Sequence, residues 1–391
     1  MNQNGGYFTY MQWWMMMIGI WRIDTQDHPS YKKKFHKVYS LVIQTLASSP
    51  TLSFAIAVPG LLKTDMTTAI YNIGIIIMVG MIVVKMIMCQ SKSVTKLLQL
   101  ALQLDEQIRA QKEPEMQLIY RQHVKFDDKL VTLIAVSGLI MGMFVVVYGD
   151  IECYVFFKEN KETNITEVPV VVNYWYPFDK KKYYTFLLID QNVRPTLCCI
   201  CIGVVSAFVN CIIIFVRLQL KLLQYSFRNF HRFPSHGVSL EAAKNTLRLL
   251  CVRHQQLIQY VEDLNESFKN ILLLEYIVSG VLLAALILQI TGGNQRLLVC
   301  FVLLVSVVQL LTFAWSANEI IVQSAELARA LFESKWYDQN TPAKLMTQIM
   351  MMRCQKPLSL SIGPFGVMDL NVGLSRLKLG YSYTSLMTNG D

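Results

Sequence analysis

The feature that most constrains this sequence is a set of six long apolar windows that contain no charged residue. They cover residues 38–62, 66–84, 130–149, 195–216, 276–295 and 297–318. Because an α-helix rises about 1.5 Å per residue, about 20 mostly apolar residues cross a hydrocarbon layer of roughly 30 Å. Buried helices of a large soluble protein would need charged outer faces, which these windows lack, and only 16% of all residues are charged. The windows therefore predict an all-α, multispanning membrane protein.

A seventh spanning segment, 357–390, is apolar enough but is interrupted by Asp369, Arg376 and Lys378. If 367–388 is helical, one face of the helix carries only polar residues. They recur at alternating steps of four and three positions and are Asn371, Ser375, Lys378, Ser382, Ser385 and Asn389. A polar stripe in a membrane helix requires hydrogen-bond partners or water. The stripe therefore indicates either a pore-lining helix, repeated around a central axis, or a helix that is satisfied inside a monomeric bundle.

Two side chains on this segment bear on whether a pore would conduct cations. Leu386 lies beside the stripe and could form a hydrophobic constriction that closes by dewetting. Lys378 is unfavourable for a cation path. It would have to snorkel, pair with an acid such as Asp369, or have its charge diluted by partner subunits.

The basic residues predict the orientation of the chain. With seven spans and a cytoplasmic N-terminus, 26 of the 36 Lys and Arg residues fall on the cytoplasmic side and 8 outside, the last two being in the seventh span. Since Lys and Arg are retained in cytoplasmic loops, this distribution predicts an extracellular C-terminus. A G-protein-coupled receptor has the opposite orientation. The formal charge of +9 is thereby explained without nucleic acid as a partner.

The segments outside the predicted spans allow four further predictions. The apolar run 11–21 is too short to span and is expected to lie in the headgroup region or to pack against the bundle. The loops 85–129 and 217–269 have the apolar periodicity of amphipathic helices, which predicts either a solvated collar or a platform for subunit assembly. Their carboxylate pairs 105–106 and 127–128 are expected on solvated faces. Asn164 begins an Asn-Ile-Thr glycosylation sequon in the longest external loop.

Several short elements resemble the insect odorant receptors. The run Ile-Gly-Ile-Trp-Arg at 18–22 is similar to the element that precedes the first span in that family. The C-terminal motifs Gln-Lys-Pro (355–357), Gly-Pro-Phe (363–365) and Leu-Gly-Tyr-Ser-Tyr-Thr (379–384) resemble the signature of its final helix. The chain lacks the long second cytoplasmic loop of the shared co-receptor, so it resembles a tuning subunit.

The resemblance implies a fold and a function. The fold is a seven-helix membrane protein with a cytoplasmic N-terminus, an extracellular C-terminus and helices extended into a cytoplasmic anchor domain. The function is an odorant-gated, non-selective cation channel that works as a heterotetramer with the co-receptor in the plasma membrane of olfactory neuron dendrites. Its partners would be a volatile odorant, lipid and permeating cations, without a cofactor or metal. Leu386 would be the gate, and Ser382, Ser385, Asn389 and Lys378 would line the pore.

The implied domains follow the chain in order. They are a cytoplasmic segment with an interfacial helix (1–37), an odorant-binding bundle of six spans (38–318, with cytoplasmic extensions at 85–129 and 217–275), a cytoplasmic anchor helix (319–356), and a pore-lining seventh helix with a short external tail (357–391).

The resemblance also implies an odorant site in the outer half of the bundle. The residues at that depth are Ile70, Tyr71, Gly74, Ser137, Met141, Phe144, Tyr148, Tyr184, Phe186 and Leu187. A small volatile would bind mainly by apolar burial, and one or two polar groups such as the phenols of Tyr71 or Tyr148 would orient it. Ordinary packing between helices is the alternative role for each of these side chains.

Two other classes remain open as alternatives. A solute transporter would have an inverted repeat and charged residues near several midplanes, neither of which the sequence displays. A gustatory-type receptor channel would end its last span with a Thr-Tyr…Gln-Phe pattern, and 380–391 contains no Gln-Phe pair. The six histidines and the acidic pairs form no catalytic arrangement, so an enzyme is not expected.

Overall fold

The computed structural model describes residues 6–21, 30–64, 66–111, 113–159, 169–170, 172, 174–232, 240–292 and 296–388. These residues form ten α-helices, with short 3₁₀ turns at 230–232, 336–338 and 363–365. Within the same residues the only β-type pairing is an isolated bridge between Ser361 and Val367. The predicted all-α architecture is therefore confirmed for this part of the chain.

In chain order, the helices are α1 Thr9–Met17, α2 Ser30–Thr64, α3 Met66–Cys89, α4 Lys92–Ala110, α5 Pro114–Glu159, α6 Tyr184–Arg228, α7 Leu240–Gly292, α8 Arg296–Phe332, α9 Thr341–Cys354 and α10 Leu370–Thr388.

Six of the described helices are long and apolar enough to cross a membrane, and each overlaps one predicted window. They are α2, α3, α5, α6, α7 and α8. At about 1.5 Å per residue, the 53 residues of α7 extend about 80 Å, well beyond a bilayer. Helices α5 and α6 are also longer than a span requires. The spans therefore continue out of the membrane, as the amphipathic loops predict.

Helix α6 is the centre of the bundle and packs mainly against α5 and α8. Its backbone approaches α5 closely, because glycines face each other at the contact. A Cβ atom added to Gly138 would lie 2.4 Å from the carbonyl oxygen of Cys199 and 2.9 Å from the backbone of Gly203. Such small-residue contacts are the usual means by which membrane helices pack tightly, since lipid supplies no hydrophobic driving force between them.

The N-terminal segment packs against the bundle, which decides between the two predicted positions for 11–21. Phe8, Met11 and Met15 are fully buried, and the Phe8 ring lies 5.1 Å from that of Phe215 on α6. Trp13 remains exposed on the outer side of α1. Helix α1 is thus part of the core on one face and open to the surroundings on the other.

The prediction that both acidic pairs lie on solvated faces is wrong for Asp105 and Asp127, which are each 1% exposed. The Asp105 carboxylate accepts hydrogen bonds from the Tyr7 amide (3.1 Å) and the Tyr120 hydroxyl (2.6 Å). Asp127 accepts one from the Tyr7 hydroxyl at 3.2 Å and lies 3.4 Å from the Arg217 guanidinium. Burial raises the pKa of Tyr7 well above its usual value, so the phenol stays protonated and donates.

The segment between α9 and α10 is a hairpin rather than a continuous helix. The Met368 amide donates to the Leu360 carbonyl at 2.8 Å, and the Ile362 amide donates to that of Gly366 at 2.8 Å. Gly363 and Gly366 have φ values of 53° and 97°, in the region that glycine adopts without steric cost. The helix of the predicted seventh span therefore begins only at Leu370, and the predicted anchor helix 319–356 is divided between the end of α8 and α9.

Candidate pore helix and ligand site

Helix α10 lies against α7 and α8 through a face of small residues. A Cβ atom on Gly373 would lie 2.7 Å from the Ala314 Cβ on α8, and one on Gly380 would lie 3.2 Å from the Leu283 Cβ on α7. Glycine at these two positions allows α10 to approach its neighbours closely. The same face carries Arg376, which is buried.

The predicted polar stripe lies on the opposite face of α10. Asn371, Ser375, Lys378 and Ser382 are all exposed. The Ser382 hydroxyl donates to the Lys378 carbonyl at 3.0 Å, within its own helix. Lys378 makes no ion pair with any residue that the structure describes, and Asp369 instead caps α10 by accepting from the Val372 amide at 2.8 Å. The bundle of this chain therefore does not cover this part of the stripe.

The remaining pore predictions lie beyond what the structure describes. Asn389 is outside the described residues, and so are the side chains of Ser385 and Leu386, although the backbone of both is helical. Asn164, the predicted glycosylation site, is also outside the described residues. The gate, the pore mouth and the glycosylation site stay predictions.

Arg376 has a role that the sequence did not suggest. Its guanidinium carbon lies 3.7 Å from the centre of the Tyr276 ring on α7, close enough for a cation–π contact. Its Nη1 donates to the Ser279 hydroxyl at 2.8 Å, also on α7. The signal was present as a second cation on the final helix, two positions from Lys378 and on a different face.

Two of the four predicted odorant residues on α5, Ser137 and Phe144, contact α8. Phe144 stacks on Phe301 of α8 at a ring distance of 4.2 Å and lies 6.2 Å from the Tyr148 ring. The Ser137 hydroxyl accepts a hydrogen bond from the Gln309 amide of α8 at 3.3 Å. Met141 is buried on the same helix. Ser137 and Phe144 therefore contact α8 through an amide hydrogen bond and an aromatic stack, whereas the Tyr148 hydroxyl donates to Glu152 on its own helix.

The predicted odorant residues on α3 and α6 lie in different parts of the bundle. Gly74 packs on α7, where an added Cβ would lie 3.3 Å from that of Ala285. Leu187 is fully buried, and the Tyr184 ring contacts Phe157 at 5.3 Å. Phe186 is 58% exposed and faces out of the bundle. Ile70 is partly buried, and the side chain of Tyr71 is outside the described residues.

Two buried amide side chains, Asn72 on α3 and Gln289 on α7, were not predicted from the sequence. The Asn72 side chain is 1% exposed and that of Gln289 is 7% exposed. The Nδ2 atom of Asn72 and the Oε1 atom of Gln289 have no hydrogen-bond partner among the described residues. A buried amide without a partner is costly, so its position calls for an explanation. The available signal was an amide side chain inside a mostly apolar stretch of each of two windows.

The sequence has relatives among known proteins. A protein-family model described as 7tm Odorant receptor matches residues 65–381. Odorant receptor Or2 of Anopheles gambiae is 27% identical over 212 residues, which are 52% of this chain and 56% of that receptor. The chain thus aligns with little more than half of that relative's length. The odorant receptor coreceptor of Aedes aegypti is 26% identical over 144 residues, which are 36% of this chain and 30% of the co-receptor.

The structural similarity extends over nearly the whole chain. The olfactory receptor OR5 from Machilis hrabei, solved in complex with eugenol, superposes with a TM-score of 0.78 and covers 98% of both chains at 16% sequence identity. At this identity the likeness establishes the fold. Together with the family match over 65–381 and the six long apolar helices, it shows that this membrane protein belongs to the insect 7tm odorant receptor family.

Proposed function

We propose that the chain is a tuning subunit of an odorant-gated, non-selective cation channel in which α10 forms part of the pore wall. The observation that carries this proposal is the two-faced character of α10. Gly373, Arg376 and Gly380 lie on the bundle side, and the polar residues 371, 375, 378 and 382 lie on the open side. An uncovered polar face on a helix at membrane depth is stable where it meets water or polar groups of other subunits.

The assembly that completes the pore is a heterotetramer with the co-receptor. Helix α9 supports this assignment, because one of its faces exposes a row of large apolar side chains. Leu345, Ile349 and Met352 are 57%, 52% and 62% exposed and recur at the spacing of one helix face. Such a row outside the lipid is favourable only when another protein covers it. Helix α9 is accordingly assigned to the cytoplasmic anchor, with the N-terminus inside the cell.

Lys378 is compatible with cation flow only in such a mixed pore. A full ring of lysines would repel cations, since like charges at close range in a narrow pore are strongly unfavourable. Co-receptor subunits without a cation at this level would reduce that repulsion. The constriction is assigned to Leu386, one turn beyond Ser382 on the same helix.

The activating ligand is a small volatile with one polar oxygen, bound among α3, α5, α6 and α8. Phe144 and Phe301 supply flat apolar surface, and Met141 supplies an adaptable side chain. The unpartnered Nδ2 atom of Asn72, on α3, is suited to a hydroxyl or carbonyl oxygen on the ligand. The Machilis hrabei OR5 in complex with eugenol supports a ligand of this size. The site of action is the plasma membrane of olfactory sensory neuron dendrites.

Patch recording from cells that express the chain with and without a co-receptor tests this function. We expect odorant-evoked cation currents that persist when G-protein signalling is blocked. This chain should determine which odorants evoke them. Currents that require G-protein signalling would contradict the channel assignment. Odorant-dependent uptake of a solute without current would favour a transporter instead.

A further inference from the structure

We infer that Lys85, Glu275 and Arg376 form a polar bridge that couples the position of α3 to the position of the pore helix α10. The inference rests on the proposed channel function, since it assigns these residues to the step between odorant binding and pore opening. The three side chains come from three helices, α3, α7 and α10. The bridge runs through α7, which contacts both of the other helices.

The first half of the bridge joins α3 to α7. The Lys85 ammonium lies 2.7 Å from the Glu275 Oε1 atom, and the two side chains are 9% and 28% exposed. Nearer the start of α3 are Ile70 and Gly74, two of the predicted odorant residues, and Gly74 packs on Ala285 of α7. Helix α3 therefore contacts α7 both at the odorant level and at the ion pair. A displacement of α3 at its ligand end is transmitted to Lys85 because a regular helix moves as a stiff unit.

The second half of the bridge joins α7 to α10. Arg376 is 3% exposed, stacks on Tyr276 and donates to Ser279, so it is bound on two successive turns of α7. Its Nε atom has no partner among the described residues. The guanidinium is also within electrostatic range of the Glu275 carboxylate, the neighbour of Tyr276 in sequence. Arg376 thus depends on α7 for its ring contact and its hydrogen bond, and the nearby Glu275 carboxylate of the same helix acts on it without a direct ion pair.

The coupling follows from the charge count of this cluster. Glu275 pairs directly with Lys85 and acts on Arg376 only at longer range, so a change in the Lys85–Glu275 contact changes the electrostatic field at Arg376. A buried cation that loses its counter-charge is strongly destabilised and favours a position nearer water. The exposed polar stripe of α10 lies on the other side of the same helix. A shift of α3 would therefore favour rotation or displacement of α10, which changes the pore.

Charge removal at Glu275 tests the bridge. In channels assembled with the co-receptor, Glu275→Gln is expected to shift the half-maximal odorant concentration by about tenfold or to raise the basal current by a similar factor. Ion selectivity and the rank order of odorants should not change, because neither the pore surface nor the ligand site is altered. Glu266→Gln is the matched control, since Glu266 lies on the same helix in an exposed 2.7 Å pair with Lys269.

Milder and compensating variants separate coupling from folding. Ser279→Ala removes the hydroxyl that accepts from Arg376, together with that hydroxyl's weaker 3.3 Å bond to the Tyr276 carbonyl within α7. It is expected to shift the same parameters by about threefold in the same direction. The double variant Lys85→Glu with Glu275→Lys reverses the ion pair and should restore the surface expression that either single change loses. Its gating should stay altered, because position 275 near Arg376 now carries a positive charge. Surface labelling measures expression for every variant.

The outcomes distinguish this inference from the proposed function. A wild-type chain that gives no odorant current with the co-receptor would contradict the channel function itself. If the wild-type channel works, and the Ser279→Ala and Glu275→Gln variants both reach the surface and gate normally, only the bridge is overturned. If Glu275→Gln fails to reach the surface, the Ser279→Ala result alone decides.

Discussion

Asp127 is a buried carboxylate that joins the N-terminal segment to the centre of the bundle through Tyr7 and Arg217. The Arg217 side chain is only 7% exposed and has further contacts with the rings of Phe126 and Trp315 at 5.2 and 5.3 Å. A cation in this position needs its counter-charge, since an unpaired buried charge costs far more than a paired one. The pair is therefore expected to contribute to stability in a way that an exposed pair does not.

Substitution Asp127→Asn tests this contribution. It keeps the side-chain shape but leaves Arg217 buried without a counter-charge, so we expect a loss of about 3 kcal/mol in the free energy of unfolding and a lower melting temperature. The melting temperature of purified protein in detergent measures the effect. Glu106→Gln on the exposed face of α4 is the control and should change it little. Equal melting temperatures for both variants would contradict a structural role for Asp127.

The sequence could not reveal this cluster, although it contains every residue in it. Tyr7 is separated from Asp105 by 98 positions and from Asp127 by 120. An acidic residue on an amphipathic helix is normally solvated, and only the folded N-terminus determines that these two carboxylates are covered. By contrast, the polar stripe of α10 follows from local spacing, so the shared exposed face of residues 371, 375, 378 and 382 was predictable.

At the level of helices, the contact between α5 and α6 depends on two glycines that face each other. Gly138→Ala is expected to cost about 2 kcal/mol in unfolding free energy, because the new Cβ would meet the Cys199 carbonyl at 2.4 Å and the α6 backbone would have to move. Gly80→Ala is the matched control, because nothing lies within 4 Å of the position its Cβ would take on α3. Thermal unfolding of the two variants should differ clearly; if both unfold alike, the close approach is not important for stability.

Helix α9 allows a separate test of assembly. Ile349→Glu places a charge in the middle of the exposed apolar row and is expected to reduce co-assembly with the co-receptor about tenfold or more, since a buried unpaired charge at an interface is unfavourable. Co-purification of the two chains from membranes gives the measurement. Gln103→Glu adds the same charge at an exposed position on α4 and serves as the control. Normal co-purification of the Ile349→Glu chain would exclude this row from the interface.

The six spans were predictable because each is an uninterrupted apolar window, and length alone then determines a membrane helix. The hairpin before α10 was not, because the segment 355–369 is as apolar as the helix that follows it. Its hairpin depends on left-handed Gly363 and Gly366 and on long-range bonds such as that from the Ser361 amide to the Asn265 side chain at 2.7 Å. That bond joins residues 96 positions apart, which periodicity does not detect.

Across the whole molecule, the helices that carry the predicted odorant residues are connected to the helices that support α10. Helix α5 reaches α8 through the Phe144–Phe301 stack, and α3 reaches α7 through Gly74 and Lys85. Helices α7 and α8 both contact α10. The proposed ligand site and the proposed pore can therefore influence each other while remaining chemically distinct, because no predicted odorant residue lies on α10 itself.

This separation predicts opposite effects for substitutions at the two sites. Leu386→Ala should change single-channel conductance or increase basal leak while the rank order of odorants is preserved, because it alters the width and apolar character of the constriction. Phe144→Ala should change the rank order and raise half-maximal concentrations about tenfold or more, with conductance unchanged, because it removes an aromatic surface of the ligand site. Leu374→Ala and Ile140→Ala are the controls, since both side chains are about half exposed on α10 and α5 and Leu374 lies on a different face of α10 from Leu386. Single-channel recording over an odorant panel measures both properties. If the Leu386→Ala channel has altered odorant ranking but normal conductance, this end of α10 binds the ligand and does not form the gate.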